Sequence, residues 1–249
     1  MRMLTIPSFL LALLVCACAH RPSPAGASAP VDPPQFTDPL TIDNPFHPFQ
    51  IGGVKVFKGK EGGSVIVFVD IYKSETRTFM LNGNPVETRI MQETEFEDGV
   101  LTEISQNYFN QADDDTVYYW GEVVDEYEDN QVVSHGGSWL VGGPTQAGDP
   151  VDAANAPVPA VFIPGNPEVG EVWHPENLPP LVQENVRALS LESKAKTAAG
   201  TFRNSLKVKE TSDIDPQHKE NKWYARGVGV VKGEAKGEKW ELIASTLVP

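Results

Sequence analysis

The sequence predicts an all-β, antiparallel domain, and three observations predict it. Most of the chain alternates apolar and polar residues with period two. Turn signals recur at ~8–12 residue spacing, as in antiparallel architectures. Helical periodicity is nearly absent, and a short turn near Gln183 to Leu189 is the one helical candidate.

The elements before that domain come first. Met1, Arg2 and Met3 open the chain with a positive charge, and Leu4 to Val15 is apolar apart from Thr5, Pro7 and Ser8. The run is about a dozen residues long, whereas a helix crossing a bilayer needs ~20. A basic start, a short apolar stretch and a small-residue end make a secretory signal peptide. Val15-Cys16-Ala17-Cys18 resembles a lipobox, which makes residues 1–17 the leader and Cys18 the lipidated mature N-terminus. The alternative is ordinary cleavage at the small-x-small site Ala17-Cys18-Ala19. Cys16 fits less well as the anchor, because Val15 is large for the small position. Acyl chains contribute ~0.8 kcal/mol per buried CH₂, so several chains make a stable tether. Ala19 after the anchor, in a Gram-negative cell, points to the outer membrane. The expected location is a membrane-anchored lipoprotein on the periplasmic face of that membrane or on the cell surface.

Both cysteines of the chain lie in this segment. The mature domain therefore has no disulfide in an oxidising compartment and must stand on its core. Residues 18–43 are dense in Pro, Ala, Ser and Asp and poor in large apolar residues. They read as a disordered, Pro-stiffened linker. Residues 44–249 are left as one all-β domain, long enough for a substantial core.

Within it, Ser64 to Tyr72 and Thr78 to Leu81 are rich in β-branched and aromatic residues. Asn82-Gly83-Asn84 is a turn, because Asn and Gly accept positive φ. Val86 to Phe96 alternates and ends at Glu97-Asp98-Gly99. Val100 to Phe109, Thr116 to Trp120, Val123 to Tyr127 and Gln131 to Val141 follow, then a Gly/Pro/Ala-rich connector from Gly142 to about Pro164. Strands resume at Ala188 to Leu191, Thr201 to Glu210, Lys222 to Val231 and Lys239 to Leu247. A weak internal echo suggests two diverged repeats. Asn44-Pro45 leads through Gly52-Gly53 to Phe57, and Asn166-Pro167 through Gly170 to Trp173; Tyr118-Tyr119-Trp120 and Trp223-Tyr224 come later in each half.

Taken in order, six motifs carry a resemblance. They are Asn44-Pro45-Phe46, Tyr118-Tyr119-Trp120-Gly121-Glu122, Gly137-Ser138-Trp139, Ile163 to Gly170, Ala199-Gly200-Thr201-Phe202, and Trp223 to Lys232. Together they resemble a widespread family of bacterial secreted proteins and lipoproteins for which no activity is established. The resemblance spans about residues 44–246 and implies a curved sheet or half-open barrel. Arg226 stands where the family pattern has Pro, and Ile51-Gly52-Gly53 replaces its Pro-Gly turn.

The chemistry-bearing residues do not assemble from the sequence into a catalytic set. His135-Gly136-Gly137-Ser138 lacks the Gly-x-Ser-x-Gly elbow and following helix of an esterase. The histidines, His20, His47, His135, His174 and His218, include no i, i+4 pair for zinc. Asp113-Asp114-Asp115 is a weak candidate for Ca²⁺, with Val117 and Tyr118 breaking the EF-hand pattern; a solvated acidic hairpin is the simpler reading. No metal or cofactor is expected.

The formal charge is −14. Acidic clusters at Glu93 to Asp98, Asp113 to Asp115 and Asp125 to Asp129 read as a surface that repels nucleic acid and anionic lipid. In Val65 to Tyr72 both faces are apolar: Val65, Val67, Val69 and Ile71 on one, Ile66, Phe68 and Tyr72 with Asp70 on the other. Such a strand is either covered or borders a cavity, which makes Ile66, Phe68 and Tyr72 candidate ligand-facing residues. The expected function is a monomeric, non-enzymatic binding or interaction module with an envelope protein as partner. The alternatives are a carrier of an apolar or lipid-like ligand and, third, a hydrolase.

Overall fold

The computed structural model describes residues 33–247. The leader, Cys18 and most of the expected linker lie outside the described residues.

The chain folds as expected into an all-β architecture, with no helix among the described residues. β1 (Val54–Glu61), β2 (Ser64–Leu81), β3 (Asn84–Glu97), β4 (Val100–Gln111) and β5 (Val117–Glu128) form an antiparallel meander. β6 (Gln131–Ser134) and β7 (Trp139–Val141) pair with β5, and β8 (Ala154–Ala156) runs parallel to β7. β9 (Ala160–Ile163) returns to β5. After β10 (Val172–Trp173) and the small hairpin of β11 (Asn177–Leu178) and β12 (Val182–Gln183), a second meander follows. It comprises β13 (Asn185–Thr197), β14 (Gly200–Thr211), β15 (Lys219–Ala225), β16 (Gly229–Ala235) and β17 (Glu238–Ser245). β17 pairs antiparallel with β1, so the meanders fuse into one curved sheet from β10 to β8. The sheet does not close into a barrel. Its nearest approach to closure is between β9 and β10, where the Trp173 indole donates to the Phe162 carbonyl at 2.9 Å.

Turn chemistry explains the hairpins. Asn82 and Gly83 have φ of 52° and 81°, and Asp98 and Gly99 of 48° and 84°. Positive φ at both central residues gives the turn whose twist matches paired strands. Between the turns, alternate side chains point to one face. Their inward set forms two apolar clusters. One gathers Phe79, Phe109, Trp120, Trp139, Leu140 and Leu206. The other gathers Phe57, Phe68, Trp223, Val228, Trp240 and Leu242. The buried Trp120 indole donates to Asn110 Oδ1 at 2.7 Å, so its polar atom is satisfied inside the core.

Several expectations change. Ser64–Leu81 is one strand, with a register shift between Tyr72 and Thr76 where two pieces were expected. Lys222 to Val231 is two strands. Gly227 donates its N–H to the Pro45 carbonyl at 2.8 Å and Val228 to that of Ala225 at 3.2 Å, so the chain turns there. The expected connector carries β8 and β9, and the helical candidate near Gln183 is the end of β12 and start of β13. Residues 34–43, expected as linker, belong to the compact unit. Phe36 packs on Tyr118 and Trp120 with ring centroids 5.6 and 5.7 Å away, and Ile42 is buried. Tyr118 to Trp120 fall on the last strand of the first meander, whereas Trp223-Tyr224 fall on the third of the second.

The resemblance motifs meet in space. Asn44 Nδ2 donates to the carbonyls of Asp115 and Pro164 at 2.9 and 3.1 Å. The Arg226 guanidinium lies 4.6 Å from the centroid of the Phe46 ring. Segments far apart in sequence are thus tied by the segment that precedes β1.

A candidate ligand-binding cavity lined by carboxylates

The concave face of the sheet borders a half-open cavity of about 380 Å³. Period two places its lining. Ile66, Phe68 and Asp70 come from β2, Met91, Glu93 and Glu95 from β3, and Glu220, Lys222 and Tyr224 from β15. Ten carboxylates line it: Glu61, Asp70, Glu93, Glu95, Glu122, Glu176, Glu184, Glu210, Glu220 and Glu238. Only two lysines, Lys55 and Lys222, stand against them. Six aromatic rings complete the wall, from Phe68, Phe109, Tyr119, Phe162, Tyr224 and Trp240.

The ladders set like charges opposite one another. Asp70 faces Glu93 across β2 and β3, and Glu210 faces Glu220 across β14 and β15. Such pairs destabilise a sheet unless a counter-charge intervenes. Lys222 supplies one, with Nζ 3.0 Å from both oxygens of Glu210 and 3.3 Å from Glu220 Oε2. Burial raises the Glu210 carboxyl, but Lys222 and His218 outweigh it and hold Glu210 down at about 2. Lys55 supplies the other, with Nζ 2.9 Å from Asp70 Oδ2 and beside the Phe57 and Tyr72 rings. Burial pulls the Lys55 ammonium down; Asp70 and Tyr72 more than offset it.

Five further carboxyls of the lining, Glu93, Glu95, Glu122, Glu176 and Glu184, are shifted upward. Burial, then Glu103, Glu61 and Asp70, push Glu95 up to about 7. Burial and then Glu210 push Glu184 up to about 8. Burial and Asp70 raise Glu93, and burial and Glu176 raise Glu122, well above the usual carboxylate range. Glu176 rises through burial, although its Oε1 accepts from the Trp139 indole at 2.9 Å. These groups hold their protons more tightly than free carboxyls do because their charged forms lie in a crowded, poorly solvated place.

Three buried polar atoms of the lining have no hydrogen-bond partner: Asp70 Oδ1, Glu220 Oε1 and His47 Nε2. Their residues are 2%, 5% and 6% exposed. Buried polar atoms without partners are uncommon and costly. The His47 ring packs between Phe109 and Phe162, and burial with Lys55 nearby lowers it to about 3, so it stays neutral.

The sequence candidates fall as follows. Ile66 and Phe68 line the cavity. Tyr72 is buried on the same face, beside Phe49 and Lys55 outside the cavity lining. The Asp113-Asp114-Asp115 carboxylates point to separate donors. Asp113 accepts from Thr37 N and Oγ1 at 2.8 and 2.7 Å, Asp114 from Thr116 N at 3.0 Å, and Asp115 from Gln111 Nε2 at 3.4 Å. Among the described residues, Glu184, Glu210 and His218 have metal-ligand spacing, with ligand atoms within 4.8 Å of one another. Lys222 and His218 already occupy Glu210. Ser138 is buried, its Oγ accepting from Val124 N at 2.9 Å, while His135 Nδ1 lies 2.8 Å from Asp125, so the pair forms no nucleophile and base.

Sequence reading missed the acidic cavity. Glu93 and Glu95 read from the sequence as surface residues with Glu97 and Asp98, but the curvature of the sheet turns the first two inward. The signal was present in Asp70, on the same face as Ile66, Phe68 and Tyr72, and in Lys222 between Glu220 and Tyr224.

No protein-family model matches the sequence, and no curated protein matches it. Among solved structures, a protein of Parabacteroides distasonis described as a candidate lipoprotein aligns over 83% of this chain and 99% of its own. The identity is 12% and the TM-score 0.30.

Proposed function

We propose that the protein is an exported, Cys18-anchored binding module that holds a small cationic ligand in its curved sheet. The observation that carries the reading is the crowding of acids in the cavity, ten carboxyl groups against two lysines, with Glu220 Oε1 left without a donor. A wall of buried carboxyls is tolerated only when protons or cations neutralise it. A cation that enters gains several charge-assisted hydrogen bonds at once. The lining suits this better than the hydrocarbon chain expected from the Ile66 and Phe68 face. Binding is favoured over sugar hydrolysis because the acids form a distributed ring, whereas glycoside cleavage uses one acid and one base.

Native mass spectrometry of the mature protein from its host envelope tests the reading. A small bound species released on acidification to pH 4 supports it. A retained lipid overturns it in favour of an apolar carrier. The intact mass of the same sample tests the anchor, since a free Ala19 or His20 terminus without acyl mass removes Cys18 from the account.

A further inference from the structure

Resting on the Cys18 anchor of that reading, we infer that the outer face of the sheet lies on an anionic lipid surface. Lysines of β14 to β1 meet the head groups, and an apolar patch of β2 to β4 sinks between them.

The sheet is charged in reverse, with its acids around the cavity and its bases on the opposite face. In β15, Glu220, Lys222 and Tyr224 line the cavity, so Asn221 and Trp223 face outward. Residues opposite one another across a ladder share a face, and the registers trace two rows from these two. One runs Lys207, Trp223, Lys232, Glu241 and Lys58, from β14 to β1. The Lys207 and Lys232 ammonium groups both lie over the Trp223 ring, at 4.7 and 4.9 Å, which confirms that the three share a face. The other runs Arg187, Lys209, Asn221, Glu234, Lys239 and Lys60, from β13 to β1. Bases thus outnumber the two glutamates of the rows in a chain whose formal charge is −14. Glu234 is shared by Lys232 and Lys239 at 2.8 and 3.2 Å. Among the described residues, Arg187, Lys209, Lys58 and Lys60 have no ion pair. Arg187 stands directly opposite Lys209, and Lys60 opposite Lys239. Like charges so placed destabilise a ladder, and an anion laid over them relieves it.

The first row continues past β1 and turns apolar. Lys58 lies opposite Val67 of β2, Val67 opposite Phe96 of β3, and Phe96 opposite Leu101 of β4. Val65, Val69 and Ile71 extend the patch along β2, and Ile104 along β4. None of these side chains belongs to either apolar cluster, and each is half-buried or exposed. This is the second apolar face of Val65 to Tyr72, the one turned away from the cavity. A soluble polyanion would meet the lysines and leave the patch in water. A lipid surface takes both, its phosphates facing the ammonium groups and its acyl boundary receiving the apolar side chains. The anchor keeps such a surface within reach, since the chain from Cys18 to Pro33 spans at most about 54 Å.

Vesicle sedimentation decides the matter, using the full mature chain with Cys18→Ser so that no acyl chain contributes. The probes are vesicles of phosphatidylcholine and of phosphatidylglycerol, each in about 0.01 M and about 1 M salt, where the Debye length is about 30 and about 3 Å. Binding is expected to phosphatidylglycerol alone, falling at least tenfold at the higher salt. Lys60→Ala and Lys239→Ala, both at exposed positions, are each expected to weaken it about fivefold. Should Lys239→Ala fail to fold by circular dichroism, Lys58→Ala takes its place. Phe96→Trp, read against the parent protein, reports the patch: brominated acyl chains should quench the added indole. Equal binding to both lipids, binding unmoved by the lysine variants, or an unquenched indole overturns the inference. Capture by heparin without vesicle binding overturns it in favour of a soluble polyanion, and self-association in place of vesicle binding in favour of a second copy. All these outcomes leave the anchor standing, because the intact mass of the native protein reports Cys18 separately. A native protein without acyl mass removes the anchor and leaves the vesicle result to judge the face alone.

Discussion

Asp149 and Asp70 are both aspartates paired with a buried cation, and they are finished differently. Asp149 takes the Arg77 guanidinium on both oxygens at 2.7 and 2.8 Å and also accepts from Thr145 N and Gln146 N at 2.8 Å each. Arg77 lies over the Phe79 and Tyr108 rings. That pair clamps the connector after β7 onto β2, and no acceptor atom of Asp149 is left over. Asp70 has Lys55 on one oxygen and no fixed donor on the other, only a proton shared with Glu93 opposite. A carboxylate that holds the fold together is saturated; one that lines the cavity keeps an oxygen in reserve.

Four measurements sharpen or break this contrast. Arg77→Ala is expected to cost most, about 3–5 kcal/mol in urea unfolding, because it strands Asp149 in a buried place. Ligand binding by the surviving folded fraction should be intact; a loss below 1 kcal/mol makes the two aspartates alike. Lys222→Met removes the counter-charge between Glu210 and Glu220. With the lysine side chain 23% exposed, the cost is about 1–3 kcal/mol. That cost should shrink as pH falls below 4.5 and the two acids take up protons, and a cost indifferent to pH breaks the idea that Lys222 separates like charges.

Glu95→Gln acts through pH. The folded carboxyl titrates at about 7 against an ordinary 4.5. Its contribution is fully present below 4.5 and lost as pH rises through 7. The parent protein should lose thermal stability between pH 5 and 8, and the variant should lose less, by a few degrees in Tm. Equal slopes in scanning calorimetry exclude Glu95 from the cavity electrostatics. Smallest is Thr37→Val, which removes only the Oγ1 contact to exposed Asp113 and should leave Tm unchanged. A larger loss would mean that residues 34–43 hold the sheet more firmly than their exposure implies.

Strands and hairpins were legible because alternation and positive-φ residues act locally; Asn82-Gly83 and Asp98-Gly99 bend the chain whatever lies elsewhere. The break at Arg226 to Val228 was not legible. It depends on Gly227 reaching the Pro45 carbonyl, a contact across 182 positions of chain. The extent of the N-terminal linker was misjudged for a like reason: Phe36 and Ile42 are sparse in a Pro-rich stretch, yet each finds an apolar site on the sheet. The cavity hid behind its own composition. Glu93, Glu95 and Glu97 alternate as a solvated edge does, and only the curvature of the sheet turns two of them inward. Ile66 and Phe68 were found because apolar residues on both faces of a strand require an explanation; a file of acids does not.

The seam between β9 and β10 has a mechanical consequence. Around the rest of the sheet, backbone ladders fix the register of neighbouring strands and hold the girth constant. At the seam side chains stand in place of a ladder, the Trp173 indole on the Phe162 carbonyl and the Trp139 indole on the Glu176 carboxyl. A cuff fastened by side-chain clasps can widen there at the cost of those bonds, whereas widening elsewhere unzips a row. Phe162 also lines the cavity, so the clasp and the contents share a residue, and the bore of the cuff is felt where it fastens.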